Sequence, residues 1–310
     1  MIKGFSKLTK EAKIEWLIAN YFNGEEKARE VLESYWHSDE KLQKLHDEFI
    51  ENTVSNFYMP MGIAPNFLIN GKEYAVPMVT EESSVVAAAA KSANFWADKG
   101  GFKATVKSTT KIGHVHFLWK GDNTDDLTSF IAGIVPKFYT ESNGITANMR
   151  KRGGGILAIQ LVDKTADIPH YYQLEAEFET CDSMGANFIN SCLEKFADVL
   201  KSEIANASLA VNEVEVVMCI LSNYTPKCRV KVEVSCPIAQ MVEGTDMSPQ
   251  AFAERFTTAV RIAETQPYRA VTHNKGIMNG IDSVILATGN DFRAIEASAH
   301  AYASKDGRYS

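Results

Sequence analysis

The sequence has no apolar run approaching the ~20 residues that span a bilayer. Residues 1–22 carry charges every few positions and no apolar h-region, so a secretory signal is not expected. Cysteine is scarce, with five residues: Cys181, Cys192, Cys219, Cys228 and Cys236. The number is odd and no pair has C-x-x-C spacing. A disulfide framework or a zinc site is therefore not expected, and reduced thiols in a cytoplasmic protein are. Basic charge is also short: 32 Lys and Arg stand against 39 Asp and Glu, a net charge of −7. That balance argues against nucleic acid as a partner, and no feature points to a membrane. What is present is an ordinary globular composition, 45% hydrophobic and 23% charged over 310 residues. Such a chain buries a large core, and its length suggests about two domains at roughly 150 residues each.

The first fifty residues read as helices with apolar stripes: Ile14, Leu17, Ile18 and Tyr21 after a Thr9 cap, then Ala28, Val31, Leu32 and Tyr35, then Leu42, Leu45 and Phe49. Between residues 51 and 101, Pro60, Gly62, Pro65, Asn70-Gly71 and Pro77 predict turns and short strands, with Asn70-Gly71 as a hairpin turn. A small-residue helix opens at Val85, and its bareness suits burial or an interface. Residues 103–220 read as a separate unit. A strand carries Val115, Phe117 and Trp119, and a helix capped by Thr124 follows. Gly153-Gly154-Gly155 opens a second strand, and Leu174, Ala176 and Phe178 alternate with glutamates in a third. A helix through Ile189, Cys192, Phe196 and Val199 and a strand over residues 214–221 complete the order β-α-β-β-α-β of a ferredoxin-like domain. A valine-alternating strand (Val230, Val232, Val234) and a helix starting at Ser248-Pro249 follow. The fold class expected is α+β. A large mixed domain, residues 1–102 and 221–310, would accept residues 103–220 as an insert.

Three segments could carry chemistry. His273-Asn274-Lys275-Gly276-Ile277-Met278-Asn279-Gly280, with Gly289-Asn290-Asp291 beyond it, suits a loop that brings backbone and a cation to a ligand; an exposed turn is the plain alternative. Glu81-Glu82-Ser83-Ser84 precedes the small-residue helix. It could be simple capping, or a partly buried carboxyl that donates a proton. Asp182-Ser183-Met184-Gly185-Ala186-Asn187 opens a helix, where a glycine lets a pyrophosphate approach; an Asp cap with a packing glycine is the alternative.

Together these segments resemble the 3-hydroxy-3-methylglutaryl-CoA (HMG-CoA) reductase family, bacterial class II type. The resemblance rests on Glu51-Asn52-Thr53-Val54-Ser55, Pro60 to Phe67, Val76 to Ala89, Asp182 to Asn187, Pro267 to Asp282 and Ala287 to Ala303, in family order. It implies reduction of a thioester to mevalonate and free CoA by two hydride transfers from NADPH or NADH, in isoprenoid biosynthesis or in reverse. It implies Lys275, Glu82 and Asp291 as the catalytic set. Ser84, Arg269, Asn279 and Asn223 would hold the substrate, and Asp182, Met184, Gly185 and Asn187 the dinucleotide. It also implies a homodimer with shared active sites, or a higher oligomer, and no metal.

The sequence departs from the family in three respects. None of its seven His residues lies in the family's mobile C-terminal motif, and Ser310 precedes the region that carries that motif. No acid follows Gly153-Gly154-Gly155, where NADH-preferring members place one, whereas Arg150, Lys151 and Arg152 precede it; this leans to NADPH. Thr53, Ser55 and Ser83 alter motifs beside the site. Two other readings stay open: a non-catalytic acyl-CoA-binding dimer, and a Schiff-base enzyme with Lys275 as nucleophile.

Overall fold

The computed structural model describes residues 2–121, 123–207 and 214–310. In chain order these residues form α1 (Lys10–Tyr21), α2 (Glu26–Ser34), α3 (Glu40–Asp47), β1 (Met61–Ile69), β2 (Lys72–Val79), α4 (Val85–Ala97), β3 (Lys103–Ser108) and β4 (Lys111–Trp119). Then come α5 (Thr124–Glu141), α6 (Asn143–Lys151), β5 (Gly155–Asp163), β6 (Tyr171–Glu179), α7 (Ala186–Asn206), β7 (Val214–Leu221), β8 (Arg229–Glu233), α8 (Ile238–Met241), α9 (Pro249–Thr265), α10 (Pro267–Ala287) and α11 (Phe292–Ala303). The chain divides into two compact units: residues up to Met61 with Val79–Glu82, and Gly62–Met78 with Ser83–Ser310.

The first unit is held by polar bonds as much as by apolar packing. Thr9 caps α1, its Oγ1 accepting from Ala12 N at 3.2 Å. Ile14 and Ile18 are buried; Ala28, Leu32 and Leu42 are half-buried, but Val31, Leu45 and Phe49 are exposed, so the expected stripes of α2 and α3 are only partly packed within this chain. Phe49 also lies beyond the end of α3. Instead Lys10 pairs with Asp47 at 2.8 Å, and Asn56 Nδ2 donates to Tyr35 O and Gln43 Oε1 at 2.8 and 2.7 Å. The two departures from the family motif in this unit both form bonds. Ser55 Oγ donates to Leu32 O at 2.6 Å, and Thr53 Oγ1 donates to Ile50 O at 3.0 Å.

In the second unit, the Asn70-Gly71 turn joins β1 to β2 as expected, with φ of 51° and 80° that match a two-residue hairpin. The main core lies under a four-stranded sheet of order β5-β6-β4-β7, whose three neighbouring pairs are all antiparallel. Alternation explains it. Tyr172, Leu174, Ala176 and Phe178 of β6 point inward, while Gln173, Glu175 and Glu177 point to the other face. Leu127, Ile131, Ile134 and Phe138 of α5, and Ile189, Cys192, Leu193, Phe196 and Leu200 of α7, close the same core. Each such side chain contributes about 1.5–3 kcal/mol by leaving water. Burial pushes the Cys192 thiol up to about 12, so it serves as an inert apolar group. The cap of α5 is Asn123 rather than Thr124; its side chain accepts from Asp125 N at 3.0 Å. Strands β3 and β8 form a separate two-stranded ribbon. Its valines do not alternate in burial as expected: Val106, Val230 and Val232 are all exposed.

Candidate active site

Helix α10 carries three of the candidate residues. The segment His273–Gly280 is not a loop: it lies inside this 21-residue helix, which Pro267 opens at its first turn. Two glycines cost a helix about 1 kcal/mol each, which is why the segment reads as irregular. The packing of α10 against α9, α11 and α4 overrides that preference. The glycines keep the helix surface bare, since a Cβ at Gly276 or Gly280 would meet nothing within 4 Å. Lys275 and Asn279 stand one turn apart on one face. Arg269 sits in the first turn and is exposed.

Asp291 begins the next helix. It caps α11, its Oδ1 accepting from Ala294 N at 3.1 Å, and lies 3.7 Å from Arg293 Nε. Because α11 packs on α10, the fold brings the element that starts at Asp291 against the one that carries Lys275. Ser84 precedes α4, which packs on the same helix, but it does not cap by its side chain: its φ is +75° and its hydroxyl makes no cap bond. Glu82 belongs to the other compact unit. It is exposed, not partly buried, and its backbone N donates to Thr80 Oγ1 at 3.3 Å. Ala87 and Ala88 of α4 are exposed too, so that helix is not buried within the chain. Asn223 follows β7 in a turn closed by Tyr224 N donating to Ser222 Oγ at 3.1 Å.

The Asp182–Asn187 stretch forms a second, separate grouping at the start of α7. The cap is Gly185, not Asp182. A side chain there is excluded twice over: φ is +81°, and a Cβ would lie 2.5 Å from Thr180 Cγ2. Thr180 anchors the turn, accepting from Lys111 Nζ at 2.8 Å while Ser183 Oγ donates to its carbonyl at 2.8 Å. Glu179 bonds the Thr109 hydroxyl and accepts from Cys181 N at 2.8 Å; these bonds hold its carboxyl below the usual range. The glycine turn abuts this stretch. A Cβ at Gly154 would lie 2.4 Å from Glu179 O, and Cys181 Sγ donates to Arg152 O at 3.2 Å. Arg150, Lys151 and Arg152 are exposed at the end of α6 beside that contact. By contrast, an open groove between α5 and α7, lined by Lys137, Glu141, Lys195 and Asp198, contains no candidate residue.

Residues 13–308 match the model of the hydroxymethylglutaryl-coenzyme A reductase family. The chain belongs to that family. A 3-hydroxy-3-methylglutaryl-coenzyme A reductase of Streptococcus pneumoniae is 34% identical and superposes with a TM-score of 0.78, over 99% of this chain and 79% of that one. A class II HMG-CoA reductase from the same organism, described as bound to NADPH in open conformations, is 35% identical with a TM-score of 0.78. The reductase of Archaeoglobus fulgidus is 30% identical over 306 residues, 99% of this chain and 66% of that protein. A probable HMG-CoA reductase of Borreliella burgdorferi is 34% identical over 262 residues, 84% of this chain and 57% of that protein. The chain thus spans less than two thirds of the length of these two curated relatives. As a member of the HMG-CoA reductase family it keeps the mixed α/β architecture, and among the described residues no helix is long and apolar enough to cross a membrane.

One feature of this HMG-CoA reductase homologue is not apparent from its motifs: the carboxyl of Asp282 on α10 lies close enough to that of Glu296 on α11 to interact with it. The signal was the spacing, since Asp282 lies seven residues after Lys275, but it is visible only once the segment is known to be helical.

Proposed function

We propose that the chain serves HMG-CoA reduction, converting the thioester to mevalonate and free CoA with a nicotinamide cofactor. The observation that carries the reading is the packing of α11, which starts at Asp291, against α10, which bears Lys275 and Asn279 in a family-matching sequence. When bound, the nicotinamide supplies a hydride to the carbonyl carbon at each of two steps. Each step leaves negative charge on the former carbonyl oxygen, and the Lys275 ammonium stabilises it; between the steps the C–S bond breaks and CoA leaves as its thiolate, which leaves the aldehyde-level carbonyl for the second hydride. Glu82 gives the proton, and Asp291 completes the catalytic set. Arg269 grips the hydroxymethylglutaryl carboxylate by two parallel bonds, with Ser84, Asn279 and Asn223 completing the substrate contacts.

The cofactor reading rests on the contact between the glycine turn and the Asp182–Asn187 stretch. Gly185 leaves the start of α7 bare for a pyrophosphate, with Asp182, Met184 and Asn187 around it. Arg150, Lys151 and Arg152 beside it suit a 2′-phosphate, and no acid directly follows the glycine turn to repel one, so NADPH is the favoured form. Residues 103–220 form this part as an inserted ferredoxin-like domain, supported by the antiparallel sheet and the order β4-α5-α6-β5-β6-α7-β7, which is the ferredoxin-like order with one added helix, α6. The rest of the chain, residues 1–102 and 221–310, forms the large domain. A homodimer in the cytoplasm completes the proposal. The exposed Val106, Val230 and Val232 of the ribbon, and Tyr268, Val271 and Ile277 of α10, are more apolar surface than isolated side chains explain.

The test is HMG-CoA-dependent oxidation of the reduced cofactor. Oxidation is expected with NADPH, with kcat/KM at least about 10-fold above that for NADH, a gap of about 1.4 kcal/mol. Arg150→Glu combined with Arg152→Glu should erase that preference while leaving NADH use in place. Oxidation of neither cofactor, or a preference for NADPH that survives the charge reversal, would contradict the assignment.

A further inference from the structure

Lys275, Asn279 and Asp282 lie at i, i+4 and i+7 of α10, a stripe about 60° wide at 100° per residue. The functional candidates occupy its upper part, and its lower end meets α11. There, where α11 packs on α10, the carboxyls of Asp282 and Glu296 lie close enough to interact. Glu296 is five residues along the helix that Asp291 caps. One Asp282 oxygen, Oδ1, is buried and has no hydrogen-bond partner among the described residues.

Neither carboxylate can donate, so a bond between two carboxyls needs one proton. Without it, two negative charges face each other across the helix contact, and one of them is cut off from water. Other charges do not relieve this. On α11, Arg293 turns to Asp291 at 3.7 Å and the His300 ring bonds the Tyr309 hydroxyl at 2.9 Å. On α10 itself, Lys275 lies two turns away. Among the described residues, helices α9 and α4 contribute no charge that acts on Asp282.

We propose that Asp282 and Glu296 form a proton-gated clamp: one shared proton ties α11, and with it Asp291, against the face of α10 that carries Lys275. The inference rests on the reading of Lys275 and Asp291 as the catalytic pair, and assigns Asp282 and Glu296 a positioning role. Burial, then the Glu296 bond and charge, pushes the Asp282 carboxyl up to about 6 from an ordinary 3.8. The folded protein therefore holds this proton more tightly than the unfolded chain between those values. The clamp's stability is present in full below about pH 4 and is lost as pH rises through about 6. Asn at position 282 can donate to the Glu296 carboxylate without any proton, so the clamp stays closed at every pH.

The experiment compares wild type with Asp282→Asn by thermal unfolding and by calorimetric titration with HMG-CoA, at pH 5.5 and pH 7.5. Between these two values the wild-type Tm should fall by at least about 2 °C more than that of the variant. The wild-type affinity for HMG-CoA should fall about 5-fold more than the variant's, the low end of measured couplings between sites. Parallel Tm profiles would overturn the clamp. A divergent Tm with parallel affinities would overturn its positioning role. If HMG-CoA binds neither protein at any pH, the substrate reading fails, and the Tm comparison still decides whether the acid pair shares a proton. Glu296→Gln is the second variant, in case Asp282→Asn does not fold. It keeps the burial of Asp282 and removes the facing charge, so its Tm should fall less than that of wild type between the two pH values. A slope equal to that of wild type would count against the pair.

Discussion

Lys275→Ala is expected to lower turnover of HMG-CoA by at least about 100-fold, the scale of losing one donor placed in advance at a developing oxyanion. A tetrahedral oxygen carries a full charge only after hydride arrives, whereas the bound thioester carries little. The ammonium therefore stabilises the transition state far more than the ground state, and the loss should fall on kcat rather than KM. Two decades correspond to about 2.7 kcal/mol. Steady-state kinetics on the folded variant reads this directly. A variant within a few-fold of wild type, or one that loses only KM, would remove Lys275 from the reaction. The Lys275 side chain is exposed in this chain. Removal of the Lys275 side chain therefore reports on its charge more than on lost packing.

Glu82→Gln should cost at least about 100-fold as well, the lower end of what positioned acid–base groups contribute. The substitution keeps the size and one acceptor oxygen of the side chain but removes the acidic proton. Glu82 is exposed in this chain, so the variant should fold, with an unfolding temperature within a few degrees of wild type. A fall in kcat with an unchanged Tm assigns the loss to chemistry. Near-wild-type turnover would exclude Glu82 as the proton source and leave that role to another acid.

How much of this was legible in the sequence differs by element. Alternation in β4 and β6 and the apolar face of α7 marked the main core residue by residue, because each face there meets a single environment. The first unit was less legible. Its apolar stripes are real, yet Val31, Leu45 and Phe49 face outward, and a polar network around Asn56 and Gln43 does much of the tying. The valines of β8 alternate in the sequence but not in burial, since the ribbon packs neither face. The candidate site was legible through its motifs, not its local structure. Local propensity makes Asn274-Lys275-Gly276 a turn, and only the packing of three helices around α10 makes it helical. That error concealed Asp282. Read as a loop, the segment gives no reason to place it beside Lys275; read as a helix, it lies on the same face and meets Glu296.

The most direct measurement of the central claim is a calorimetric titration of this chain with HMG-CoA. Each proposed substrate contact (Ser84, Asn223, Arg269, Lys275 and Asn279) lies within the chain, so recognition of the acyl-CoA should be present in it. The account predicts saturable binding with Kd below about 100 μM, a free energy of about 5.5 kcal/mol or better. No heat of binding up to millimolar HMG-CoA, in a sample that unfolds cooperatively on heating, would contradict it: the family's motifs would then be present without the site they mark.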